Sequence, residues 1–157
     1  METKLLSGAL GAEIKGINLK DTSDENIKKI NNLLLEHKVI FFRDQIINSE
    51  EHKALAEKFG PLETHAYVKG LNDHPEIVRI IKAEDEQNQW GENWHSDVSY
   101  NAKPTKAVIL KSIKIPPVGG DTCFSNMELA WELSLIHISE PTRPERIADA
   151  GLCLKKK

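Results

Sequence analysis

Trp94-His95-Ser96-Asp97-Val98-Ser99-Tyr100 sets an imidazole and a carboxylate two residues apart, and Pro116-Pro117-Val118-Gly119-Gly120-Asp121-Thr122 follows it. In an extended strand, residues i and i+2 leave the same face of the backbone. His95 and Asp97 are therefore expected to point side by side into one cavity, as two ligands of a single metal ion must. A second histidine from elsewhere would complete the two-His, one-carboxylate face that leaves open positions on Fe(II). The competing reading is a surface strand with a hydrogen-bonded histidine. With six His in 157 residues, a lone His-x-Asp arises easily by accident, so the surroundings must decide.

Upstream of the motif, Ala83 to Gly91 is polar and reads as a loop, and Ile77 to Ile81 reads as a strand after the turn Asn72-Asp73-His74-Pro75. Further back, Ser49 is expected to cap a helix with Glu50 and Glu51 in its first turn and Leu55 and Phe59 on its apolar face, stopped by Gly60-Pro61. Val39-Ile40-Phe41-Phe42 is a continuous apolar run that reads as a buried strand. Ile27, Ile30, Leu33 and Leu34 recur at helical spacing to about Lys38, behind the cap-competent Thr22, Ser23 and Asp24. Ala12 to Leu19 suggests a short strand bent at Gly16.

Downstream, Ala107 to Ile113 is expected as a strand, and Pro116 to Gly120 as a rigid turn. Thr122 to Ser125 follows as another strand, and Asn126 caps a helix from Met127 to about Leu133. Amphipathic helices beside several short strands predict a mixed α/β fold, a β-sandwich or barrel with helices packed outside.

The bulk composition narrows the function classes. The length suits one domain with a sizeable core, and 39% hydrophobic with 29% charged residues is ordinary for a globular protein. A net charge of −3 from interspersed signs, without a basic block, argues against nucleic acid as partner. No apolar run approaches a membrane span. Lys4 to Ala12 faintly imitates a secretory signal, but Ser7, Gly8 and Gly11 break its apolar core, so it reads as mature protein. Cys123 and Cys153 form neither a disulfide framework nor a metal-binding pair, which fits a reducing, cytoplasmic setting.

These landmarks together resemble the TauD/TfdA family, taurine dioxygenase-like enzymes that use non-haem Fe(II) and 2-oxoglutarate. Gly11-Ala12-Glu13-Ile14 with Gly16 and Leu19 looks like the family's opening strand. His37 through Gln45, reading HKVIFFRDQ, resembles its buried strand and turn, and Phe59-Gly60-Pro61-Leu62 the end of its second helix. WHSDVSY, Pro104 and PPVGGDT follow in the family's order, so the likeness spans roughly residues 8 to 133. It implies a double-stranded β-helix, or jelly roll, with flanking helices.

By that resemblance His95 and Asp97 are iron ligands at the catalytic centre, and the Thr122 hydroxyl hydrogen-bonds a carboxylate of 2-oxoglutarate. His65 matches a histidine that contacts substrate, and Val98 a position lining the substrate pocket. A solvated loop histidine and a β-branched residue after a glycine turn are the plain alternatives for His65 and Thr122. Gly91 and Val68 stand where the taurine enzyme has Asn and Tyr, which speaks against taurine as substrate. Trp94 is expected to pack beside the motif, and His37, His52 and His74 to be non-catalytic. The implied partners are a small, anionic organic substrate and O2, with a homo-oligomer left open.

The likeness ends after Leu133, before the family's distal His ligand and the Arg that pairs with 2-oxoglutarate. Residues 134–157 read as a non-homologous, disordered tail that resembles a translated sequencing adapter followed by an A-rich run. Pro141 and Pro144 interrupt any helix there, and His137 is not expected to be the third ligand. Two readings compete with a dioxygenase: an inactive fragment, and a non-catalytic β-sandwich that binds a small molecule or protein.

Overall fold

The computed structural model describes residues 1–82, 93–134 and 154–156. The chain divides into two compact units, one of Met1–Gln89 with Lys106–Leu110 and one of Trp90–Thr105 with Lys111–Lys157. Among the described residues, no helix is long and apolar enough to cross a membrane.

The first unit is built on a βαβ crossover. Strand β1 (Glu2–Leu5) pairs antiparallel with β2 (Ala12–Lys15), and β2 pairs in parallel with β3 (Ile40–Phe41). A parallel pair needs a long connection, and helix α1 (Asp24–His37) supplies it. Ser23 caps α1 by accepting from the Asn26 N–H, with Asp24 and Glu25 in the first turn where the helix dipole favours acids. Lys38 ends the helix in a left-handed conformation, φ 65°. The Gly11 and Ala12 N–H groups then donate to the His37 and Val39 carbonyls, locking the helix exit onto β2. Gly16 turns β2 at φ +80°, where an added Cβ would also stand 3.3 Å from the Met1 Cα.

Ala12, Ile14, Ile17, Leu19, Ile30, Leu33, Ile47 and Leu55 form the core, with Ile27, Phe42, Phe59 and Ile109 packed against it. Burying each larger apolar side chain contributes about 1.5–3 kcal/mol. Helix α2 (Ser49–Glu57) enters this core through Leu55. Its N-cap is Asn48, not Ser49 as expected: Asn48 Oδ1 accepts from the Glu51 N–H while Glu51 returns a bond to the Asn48 N–H, both at 2.8 Å. The reciprocal pair satisfies two otherwise orphaned donors, which moves the cap one residue upstream.

The apolar run at Val39–Phe42 is shorter and less buried than expected. Only Ile40 and Phe41 pair, and both are half-buried because β3 lies at the sheet edge. Neither Ile77–Ile81 nor Ala107–Ile113 forms a strand. From Ala107 to Leu110 the exposure still alternates residue by residue, as in a strand with one face down, but no neighbouring chain among the described residues completes a ladder. Extended backbone becomes sheet only when its N–H and C=O groups find a partner.

In the second unit, β4 (Thr122–Phe124) pairs antiparallel with β5 (Leu154–Lys156), and Asn126 caps α3 (Met127–Glu132) by accepting from the Leu129 N–H. The expectations for Ala83–Gly91 and His137 lie outside the described residues. So does most of the expected disordered tail, of which Ser134 and β5 are described.

Candidate metal centre

His95 and Asp97 do not lie along a strand. His95 sits in an isolated bridge, and Asp97 to Tyr100 form a turn closed by the Asn101 N–H donating to the Val98 carbonyl at 3.1 Å. Val98 occupies the left-handed region at φ 52°, a conformation that crowds a β-branched side chain. The turn folds Asp97 back toward the histidine, so His95 Nε2 stands 3.2 Å from Asp97 Oδ1. The two side chains thus converge as expected, by a different backbone route.

The imidazole is oriented from behind. His95 Nδ1 lies 2.8 Å from the Asn93 carbonyl oxygen, an acceptor only, so Nδ1 carries a proton and donates. This leaves Nε2 to face the carboxylate. In a neutral ring that nitrogen presents a lone pair to an anionic oxygen, and the two repel unless a cation, proton or metal, lies between them. Donors about 2.1 Å from an ion and at right angles are about 3.0 Å apart, close to the observed spacing. The Nδ1 bond to a backbone carbonyl is also the usual way a metal-bound histidine is oriented. Both side chains are about two-fifths exposed and open to a ligand. On donor type, spacing and orientation the pair fits a divalent metal. Among the described residues, no group of three or more His, Cys, Asp or Glu that could hold a metal ion converges.

Thr122 opens β4 as an exposed residue in register with Lys156. Gly119 and Gly120 precede it at φ +80° and +72°, and a Cβ on Gly120 would come within 3.2 Å of Pro116 Cγ, which explains the glycine pair. No hydrogen bond joins Thr122 to His95 or Asp97. Val98 shares the turn of Asp97 and is half-buried, whereas Trp94 is exposed. His65 belongs to the first unit, on the stretch after α2. Its Nδ1 accepts from the Tyr67 and Val68 N–H groups at 3.1 and 3.2 Å, so its proton resides on Nε2. The Tyr67 ring stands edge-on to it, with centroids 6.2 Å apart.

The histidines expected to be non-catalytic have structural partners that the sequence does not announce. His52 Nε2 lies 3.1 Å from the Ile109 carbonyl, 57 residues away, and fastens the Lys106–Leu110 segment to α2. Lys106 Nζ reinforces that docking with a 2.9 Å bond to Asn31 Oδ1. His74 is held between Glu50 and Glu76. Of these contacts only His74–Glu76 has a local spacing, two residues; the others join distant parts of the chain.

The profile described as "Taurine catabolism dioxygenase TauD, TfdA family" matches residues 2–139, and the chain belongs to that family. An alkylsulfatase of Acinetobacter baylyi is 34% identical over 134 residues, covering 84% of this chain and 41% of its own length. An alpha-ketoglutarate-dependent sulfate ester dioxygenase of Pseudomonas putida is 31% identical over 140 residues, 88% of this chain and 44% of that protein. Among solved structures, a taurine dioxygenase from Burkholderia xenovorans superposes with a TM-score of 0.73 at 36% identity, over 85% of this chain and 47% of that one. The chain therefore spans less than half the length of each of these relatives.

Proposed function

We propose that this chain carries the iron-binding turn of a cytoplasmic Fe(II)- and 2-oxoglutarate-dependent dioxygenase that hydroxylates a small, anionic organic substrate, on a jelly-roll framework. The observation that carries the reading is the 3.2 Å approach of His95 Nε2 to Asp97 Oδ1, with Nδ1 tied to the Asn93 carbonyl. Family membership supports it. So do relatives named as a sulfate ester dioxygenase and a (S)-phenoxypropionate/alpha-ketoglutarate-dioxygenase. In this reading the distal His and the Arg that complete the centre belong to the part of the relatives that this chain does not span.

Each residue then has a defined task. His95 and Asp97 hold two positions on the metal, and the Asn93 carbonyl fixes the histidine tautomer that presents a lone pair. The Thr122 hydroxyl donates to a carboxylate oxygen of 2-oxoglutarate. The His65 Nε2–H donates to an anionic oxygen of the substrate, because its Nδ1 is already engaged as an acceptor. Val98 presents an apolar wall beside the metal. Bound Fe(II) supplies the redox chemistry that couples conversion of 2-oxoglutarate and O2 to succinate and CO2 with hydroxylation of a substrate C–H bond.

A Co(II) titration of the 157-residue chain followed by NMR tests the site. The His95 ring signals should broaden first, and His95→Ala and Asp97→Ala should each weaken binding at least about tenfold. Broadening centred on His37, His52 or His74, with His95 unaffected, would refute the assignment. The activity is tested in a longer polypeptide that continues through the region its relatives possess. It should consume 2-oxoglutarate with Fe(II) and lose that turnover in Asp97→Ala. Absence of turnover with sulfate esters, sulfonates and aryloxy acids alike would instead favour the non-catalytic binding module.

A further inference from the structure

His74 lies in a loop that closes on itself: the Leu71 N–H donates to the Ile77 carbonyl and the Ile77 N–H to the His74 carbonyl, both at 2.9 Å. Its side chain is only 14% exposed, and each ring nitrogen faces a different carboxylate. Nε2 is 3.5 Å from Glu50 Oε1 in the first turn of α2, and Nδ1 is 3.7 Å from Glu76 Oε1 on the loop itself. Glu76 is also 3.3 Å from Lys53 Nζ, one helical turn beyond Glu50. Glu50, Glu76 and, through Glu76, Lys53 are the charged groups around the ring among the described residues.

A neutral imidazole has one N–H and one lone pair. Whichever tautomer forms, one nitrogen of His74 would aim its lone pair at a carboxylate. Only the imidazolium, with a proton on both nitrogens, matches both neighbours. His74 Nδ1 and Glu76 Oε1 are moreover buried and lack hydrogen-bond partners, so what offsets their removal from water is charge–charge attraction.

We propose that His74 is a proton-operated latch. Protonated, it bridges Glu50 on α2 to Glu76 and holds the 71–77 loop against the helix. Neutral, it releases the loop. Glu76 also lines a cleft of about 440 Å³, together with Lys53, Glu57, Gly60, Pro61 and Thr64, so the latch controls one wall of that cleft. The Glu76 side of the latch stays charged throughout: its own backbone N–H, aided by Lys53 and His74, holds the carboxyl below the usual range against the opposing cost of burial. The contact therefore holds while the ring carries both protons and is lost when it gives one up. It requires neither iron nor 2-oxoglutarate.

The test uses the 157-residue chain between pH 6 and pH 8. At pH 6 the ring ¹⁵N shifts of His74 should report two protonated nitrogens. After correction for intrinsic exchange, protection of the Leu71 and Ile77 amides should fall several-fold toward pH 8 as the loop opens more often. His74→Gln should show the lower protection at both pH values, while His37→Gln should keep the wild-type profile. A single protonated ring nitrogen at pH 6, or equal wild-type protection at both pH values, would overturn the latch. The ring shifts decide the matter on the wild-type chain even if His74→Gln fails to fold.

Discussion

Gln45 shows how much one side chain organises here. Its Oε1 accepts from the Leu19 N–H at 3.0 Å, while its Nε2 donates to the Ile17 and Arg43 carbonyls at 3.2 and 3.1 Å. Ile17 and Leu19 are core residues, so these backbone groups have little access to water. Gln45→Ala should destabilise the fold by about 2 kcal/mol, since buried groups left unpaired cost about 1–3 kcal/mol. Urea unfolding measures this, and a loss below about 0.5 kcal/mol would show that water replaces the amide. In the sequence Gln45 was visible only as the end of the HKVIFFRDQ resemblance; two of its three partners lie 26 and 28 residues away, beyond any local pattern. The His95–Asp97 pair is the opposite case. Its two-residue spacing was legible, but the turn that brings the groups together was not, because a short polar stretch does not distinguish a bridge and turn from a strand.

At the scale of elements, α1 and α3 were readable to within a residue or two at each end. Caps involve side chains three residues from the groups they satisfy, so local sequence contains them. For α2 two adjacent residues could serve, and the reciprocal bonds select Asn48. Asn48→Ala should therefore cost about 1 kcal/mol in thermal or urea unfolding, and Ser49→Ala less than about 0.5 kcal/mol. The reverse order would return the cap to Ser49. Strands were less legible. The apolar pattern at Ile77–Ile81 and Ala107–Ile113 is that of strands, yet a ladder depends on a distant partner that no window of sequence contains.

At the scale of the molecule, charge and exposed apolar surface set the response to conditions. The Ser23 backbone and side chain lower the pKa of Asp21, Lys29 lowers that of Glu25, and its own backbone N–H with Lys53 lowers that of Glu76. These groups bind protons less readily folded than unfolded. Their contribution is present above the ordinary carboxylate range and is lost as pH falls below about 4. Asp21 and Glu25 are solvent-exposed, so solvent screening leaves both a minor share. The melting temperature should fall between pH 5 and pH 3, with a shallower fall in Glu76→Gln; an unchanged slope would remove Glu76 from the account. Leu110, Ile113, Ile115 and Val118 are each at least two-thirds exposed. Exposed apolar residues on extended backbone outside a ladder favour self-association. Leu110→Lys with Ile113→Lys should lower light scattering at a given concentration without reducing helix content by circular dichroism. Unchanged scattering would show that these positions play no part.

What the sequence determined alone is local or compositional: the helices and the Asn126 cap of α3, the glycine turns, the family, and the candidate ligands by type and spacing. These follow from interactions spanning three or four residues, or from a pattern of residues held in order along the chain. Tertiary structure alone decided which apolar runs pair, which carbonyl His52 grips, and that Glu50 reaches His74 from α2. It also decided that Asp97 reaches His95 through a turn. Such contacts join segments whose approach is set by burial of a common core and the entropy of closing the loops between them, and residue spacing encodes neither.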